Sequence, residues 1–80
     1  MTQAPTVRAL AWTVHFHRTN ETHCAESILG RYAAWVDKGV AYAIVPGAFA
    51  RAAVGTELGD AKRHCQEDLA RRVLSALDLG

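Results

Sequence analysis

The chain predicts an α+β fold, an antiparallel meander of four or five strands with one C-terminal helix packed on one face. Three observations predict it. Residues 10–17 alternate apolar and polar with a period of two. Turn signals recur at Thr19-Asn20-Glu21, Leu29-Gly30, Asp37-Lys38-Gly39 and Pro46-Gly47. From Leu58 onward the apolar spacing changes to three and four residues.

The elements follow in order. Residues 1–6 read as a frayed lead-in to a single domain spanning 1–80, with the sheet over 8–54 and the helix over 57–77. Leu10, Trp12, Val14 and Phe16 define one face of a half-buried first strand, and Ala11, Thr13, His15 and His17 the other. Residues 22–36 admit two readings. Cys24, Ile28, Tyr32, Trp35 and Val36 fit a helical spacing. Gly30 in mid-segment opposes it, at a cost of about 1 kcal/mol relative to alanine. Two strands, 22–28 and 31–36, are the preferred reading. Gly39, free to take positive φ, then closes a tight hairpin into the β-rich run Val40–Val45. Residues 48–54 are a weaker edge strand. Leu58, Ala61, Cys65, Leu69, Val73 and Leu77 form the apolar stripe of the helix, expected to cover Trp12, Val14 and Phe16. Glu57 and Asp60 are expected in its first turn and Arg71 and Arg72 near its end, as the helix dipole favours.

Composition bounds the function. Eighty residues give a thin core, and a second copy of the chain is one way to bury more surface. Half the residues are apolar but alanine is the commonest of them, so the six aromatics carry much of the core volume. Trp12, Phe16, Tyr32 and Tyr42 are expected in or near the core. Trp35 is expected to be partly exposed, beside the charged Arg31 and Asp37. A net charge of +1 is too balanced for a dedicated nucleic-acid binder and the wrong sign for an acidic DNA mimic. The two cysteines, Cys24 and Cys65, do not make a disulfide scaffold, and with no export signal in residues 1–6 they read as reduced cytoplasmic thiols. No apolar run approaches the roughly 20 residues of a membrane span, so no membrane partner is expected.

No constellation predicts an enzyme, a metal or another cofactor. His15, His17 and Cys24 share suitable zinc chemistry, but a structural site needs a fourth ligand and their spacing matches no zinc signature. They read as solvated histidines beside a quiet thiol. Cys65 lies on the apolar stripe and reads as inert, and Cys24 has no visible oxyanion site. Glu67 and Asp68 read as a solvated face, each supporting the helix through an i,i+4 pair, Glu67 with Arg71 and Asp68 with Arg72. Lys62, Arg63, Arg71 and Arg72 give the helix a positive character, but acidic residues interleave with them and no RNP-like aromatic sequence is present.

The Trp-led first strand, Ala25-Glu26-Ser27-Ile28-Leu29-Gly30-Arg31-Tyr32, the glycine hairpin, and Leu58-Gly59-Asp60-Ala61-Lys62 opening an alanine-rich helix together resemble a group of small phage and prophage proteins. The likeness covers residues 12–77, and Gly59 departs from the acidic residue common at that place. The resemblance carries over no catalytic residue. It implies a phage or mobile-element origin, in which small proteins often inhibit host defence, anti-CRISPR proteins being the best-known class. The expected function is therefore a stoichiometric inhibitor in the host cytoplasm that binds a host protein complex, most concretely a CRISPR effector. Its contacts are expected at Trp35 and Arg31, because aromatic and arginine anchors dominate such interfaces, and on the exposed helix face. The alternative is a small nucleic-acid-binding or regulatory module using Arg63, Arg71 and Arg72.

Overall fold

A computed structural model describes residues 8–17 and 20–78. The lead-in expected at 1–6 lies outside them. Five strands, β1 (Thr13–His17), β2 (Asn20–Ser27), β3 (Gly30–Asp37), β4 (Val40–Ile44) and β5 (Ala52–Gly55), are followed by one helix, α1 (Leu58–Asp78). The strands form one antiparallel sheet in chain order, and α1 packs across it. The expected α+β meander is the fold that forms.

The turns explain the register. Ser27 pairs with Gly30 across Ile28-Leu29, and the Ser27 hydroxyl accepts from Leu29 N–H at 3.1 Å while donating to the Gly30 carbonyl at 2.8 Å. Asp37 pairs with Val40 across Lys38 and Gly39, both at positive φ (51° and 77°), which gives the hairpin the twist its strands require. The strand reading of 22–36 is therefore the right one. After β4, Val45-Pro46-Gly47-Ala48 closes with Ala48 N–H donating to the Val45 carbonyl at 3.1 Å. Proline precedes a glycine at φ 88°, the pattern of a type II turn.

Several expected bounds change. β1 begins at Thr13, not Leu10, because the side chain of Gln66 on α1 captures the backbone ahead of it. Leu10 N–H donates to Gln66 Oε1 at 2.8 Å, and Gln66 Nε2 donates to the Arg8 carbonyl at 3.3 Å. His17 pairs with Asn20, so Asn20 and Glu21 belong to β2 rather than to a turn; Thr19 lies outside the described residues. The edge strand is 52–55 rather than 48–54. It carries a bulge at Val54, between the pairs Ala41–Gly55 and Tyr42–Ala53, and Val54 packs against the core.

Glu57 precedes α1, and Asp60 is the acidic residue of its first turn. Asp60 Oδ2 accepts from Glu57 N–H and Thr56 N–H, both at 3.1 Å, as the third residue of a capping box does. These bonds, with Arg63 beside it, hold the Asp60 carboxyl below its ordinary pKa. Arg71 and Arg72 lie two turns before the end, and the last turn holds no basic residue, because the helix runs on to Asp78.

The core sits between α1 and the β3–β4 half of the sheet. Tyr32, Ala34, Ala41, Ala43, Ala61, Cys65 and Leu69 are buried there, with Leu58 and Val73 flanking, so the expected stripe holds through Val73. The side chain of Leu77 lies outside the described residues. Alanines at Ala34, Ala41 and Ala43 meet Ala61 of the helix, and side chains this small let the backbones approach closely. The helix does not cover Val14 and Phe16, as the stripe was expected to do. It leaves β5 through a two-residue connection, so it starts beside that edge and packs on β5, β4 and β3. Phe16 is consequently 73% exposed and is not a core residue. Trp12 is half-buried, with Lys62 Nζ 5.5 Å from its ring centroid.

Candidate interaction surface

The pairing Trp35–Tyr42 places both rings on the sheet face that α1 does not cover. Val36 and Ala41, one residue away, lie across from each other on the helix side. Trp35 and Tyr42 stack with centroids 5.8 Å apart and planes 26° apart. The Arg51 guanidinium lies 4.2 Å from the Tyr42 centroid, a cation–π contact. Among the described residues Arg51 makes no ion pair. Tyr42 was expected in or near the core, but the two-residue turn at Lys38-Gly39 sets the register that turns it outward. Trp35 is partly exposed, as expected.

The rest of this face follows from strand alternation. Arg31, Ala33, Trp35 and Asp37 lie on it from β3, and Tyr42 and Ile44 from β4. Cys24 and Thr22 of β2 lie across from Ala33 and Trp35. Arg31 is exposed and bonded through Nε to Glu26 Oε1 at 2.6 Å, and that bond raises its pKa. The strand residues at the centre of the face are thus aromatic and aliphatic, the strands carry their charges at their ends, and Arg51 reaches over Tyr42 from the segment before β5. No described element lies over it.

The basic helix residues are placed differently. Arg63 pairs with Asp60 at 2.8 Å, and Arg71 with Asp68 at 2.6 Å. Arg72 pairs with Asp68 at 3.0 Å, as expected, and donates to the Pro46 carbonyl at 2.8 Å, tying α1 to the β4–β5 connection. Arg71 takes Asp68 rather than Glu67. Trp35 and Arg31 therefore share one surface, while Arg63, Arg71 and Arg72 stand on the helix, each already facing a carboxylate.

Asp68 overturns its expected place on a solvated face. It is 4% exposed, and Tyr32 Oη donates to its Oδ2 at 2.8 Å. One carboxylate thus joins the core tyrosine to two arginines. Burial, and then this hydrogen bond, push the Tyr32 phenol up to about 12. The position was legible, since Asp68 follows Cys65 by three residues and so borders the apolar stripe.

The histidines and cysteines fall apart chemically. Thr13 pairs with Cys24 and His15 with Thr22, so His15 and Cys24 share the open face. Thr13 Oγ1 lies 3.3 Å from His15 Nε2 and donates to the Cys24 carbonyl at 3.2 Å. The side chain of His17 lies outside the described residues, and among those described no three His, Cys, Asp or Glu side chains converge. Cys65, on the helix side of the sheet, is free and fully buried, and burial pushes its thiol up to about 11. Sequence reasoning passed over His23, buried on the helix side with Nε2 3.2 Å from Glu21 and Nδ1 without a partner.

A cleft of about 550 Å³ opens where residues 8–11 leave the sheet for Gln66. Leu10, Ala11, Ile28, Leu69 and Val73 make it apolar, and only Arg8 and Glu26 bring charge. No described helix is long and apolar enough to cross a membrane. Comparison of the chain with protein-family models, with curated proteins and with solved structures finds no match to any of the three.

Proposed function

We propose that this chain is a binding protein, without catalytic activity, that acts by seating the open face of its sheet on a folded protein partner. The observation that carries the reading is the partly exposed Trp35 on a stacked aromatic pair, with Arg51 over one ring and Arg31 at the strand end. Such anchors supply most of the energy of protein interfaces. The resemblance to small phage proteins supplies the setting: a stoichiometric inhibitor of host defence in the host cytoplasm, most concretely an anti-CRISPR protein that blocks an effector complex.

The nucleic-acid alternative draws less support. Phosphate binding needs uncommitted positive charge, and Arg63, Arg71 and Arg72 are each paired.

The test is plasmid interference in cells with an active CRISPR system. Expression of the chain should protect a targeted plasmid, and Trp35→Ala or Arg31→Ala should remove protection while the variants stay folded. With purified effector, inhibition should saturate near one copy per site and persist from roughly 0.1 to 0.5 M salt, where phosphate contacts fail. Inhibition far below stoichiometry indicates an enzyme. Salt-sensitive binding to free DNA or RNA selects the alternative.

A further inference from the structure

The open face of β3 reads, in order, Arg31, Ala33, Trp35, Asp37. The series is charged, small, large, charged, and the end charges are opposite. Take a two-fold axis parallel to the sheet and outside its open face, perpendicular to β3 and level with Ala34. A second copy turned about that axis sets each residue against the one equally far beyond it. Arg31 then faces Asp37 of the second copy, and Trp35 faces its Ala33, large over small. Both contacts occur twice.

The neighbouring strands obey the same operation. On β4, Tyr42 lies across from Trp35 and Ile44 across from Ala33, so Tyr42 faces Ile44 of the second copy. On β2, Cys24 faces Thr22, and Glu26, across from Arg31, faces the uncharged Asn20. On β1, Thr13 faces His15. No like charges meet. Aligned sheets cross at about 30°, a displacement that the length of the arginine side chain absorbs.

We propose that the free protein is a face-to-face dimer in which the open face of each sheet covers the other, with Trp35 at the centre and two Arg31–Asp37 ion pairs at the ends. The size fits a weak association. Four rows on each of β2 and β3 and two on each of β1 and β4, with strands about 4.8 Å and rows about 6.7 Å apart, give each copy a footprint of roughly 400 Å². Two copies together bury about 800 Å², at the low end of interface size, as a concentration-dependent equilibrium requires. This inference goes beyond the inhibitor reading and does not rest on it. A host partner that engages Trp35 takes the place of the second copy.

Sedimentation of the purified full chain from about 1 to 100 µM tests the dimer with no host component present. The expected result is a concentration-dependent equilibrium between one and two copies. Asp37→Arg, which sets like charges opposite each other, should weaken association at least tenfold, and Trp35→Ala should do the same. The triple variant Glu26→Arg, Arg31→Glu, Asp37→Arg reverses the intermolecular pairs and keeps the pair within each copy. It should recover association to within a few-fold of wild type, with circular dichroism confirming that every variant is folded. A wild type that stays monomeric at 100 µM overturns the proposal. So does a larger assembly, an Asp37→Arg variant that associates as tightly as wild type, or a folded triple variant that does not recover.

Discussion

The two faces of the central strands differ in the size of their side chains. Beneath the helix, β3 and β4 bury Ala34, Ala41 and Ala43 beside one large residue, Tyr32, while Val36 on the same side stays exposed near the strand end. On the uncovered face the same strands carry Trp35, Tyr42 and Ile44. A small chain that used its aromatics only for stability would place them under the helix, where burial of a large apolar side chain contributes about 1.5–3 kcal/mol. Here the covered face gains stability from close approach and one buried polar network, and the bulk stands outside. That division is expected of a sheet with one face for folding and one for contact.

The largest effects should come from the covered face. Leu69→Ala removes a buried side chain from the helix stripe and should cost about 2–5 kcal/mol in urea unfolding. Val73→Ala, at a half-buried site, should cost less. An unchanged midpoint for both would show that α1 is not docked on β3 and β4 through this stripe.

Asp68→Ala should come next, at about 3 kcal/mol, because it leaves the Tyr32 hydroxyl buried without its acceptor and takes the carboxylate from two arginines. A loss equal to that of Glu67→Ala, at an exposed neighbour, would return Asp68 to the solvated face.

Alkaline pH should weaken the same face. Folding raises the Tyr32 pKa from 10.0 to about 12 and that of Cys65 from 9.0 to about 11. In both cases the folded state holds its proton more tightly than the unfolded one. Their stabilisation is complete below pH 9 and is lost as pH rises to about 12. Thermal melts between pH 8 and 12 should show this decline, and Tyr32→Phe should flatten its upper part. An equally steep decline in that variant would assign the loss to other groups.

A smaller local effect is expected where the helix starts. A Cβ on Gly55 would sit 2.7 Å from the Asp60 carboxyl carbon, and that carboxylate is held by two backbone bonds. Gly55→Ala should destabilise by about 1 kcal/mol, the scale of a lost cap, and Asp60→Gly, which removes the Cβ 2.6 Å away together with the carboxylate, should remove most of the additional effect. Full additivity of the two substitutions would mean that they do not meet.

How much was legible in the sequence follows from the range of each interaction. Strands, turns and the helix stripe depend on near neighbours, and the period of two before Phe16, the glycines at 30 and 39 and the spacing from Leu58 to Val73 place them. The partial exposure of Trp35 is legible because Arg31 and Asp37 share its strand face. Tyr42 was misplaced although the signal existed: a two-residue turn at Lys38-Gly39 sets it opposite Trp35. Contacts distant in sequence left no local trace. Gln66 binds backbone 56 residues away and shortens β1, and Asp68 reaches Tyr32 across 36 residues. Phe16 was placed in the core by its alternation, which marks a strand face but not whether a helix reaches it.

The division between the faces is tested most directly by urea unfolding of Trp35→Ala, compared with wild type at a protein concentration low enough to keep both monomeric. The partly exposed ring contributes its stack on Tyr42 and part of its area, so the expected loss is about 1 kcal/mol, well below that of Leu69→Ala. A loss of about 3–5 kcal/mol, the range for a tryptophan removed from a packed core, would contradict the account and make Trp35 part of what holds the fold together.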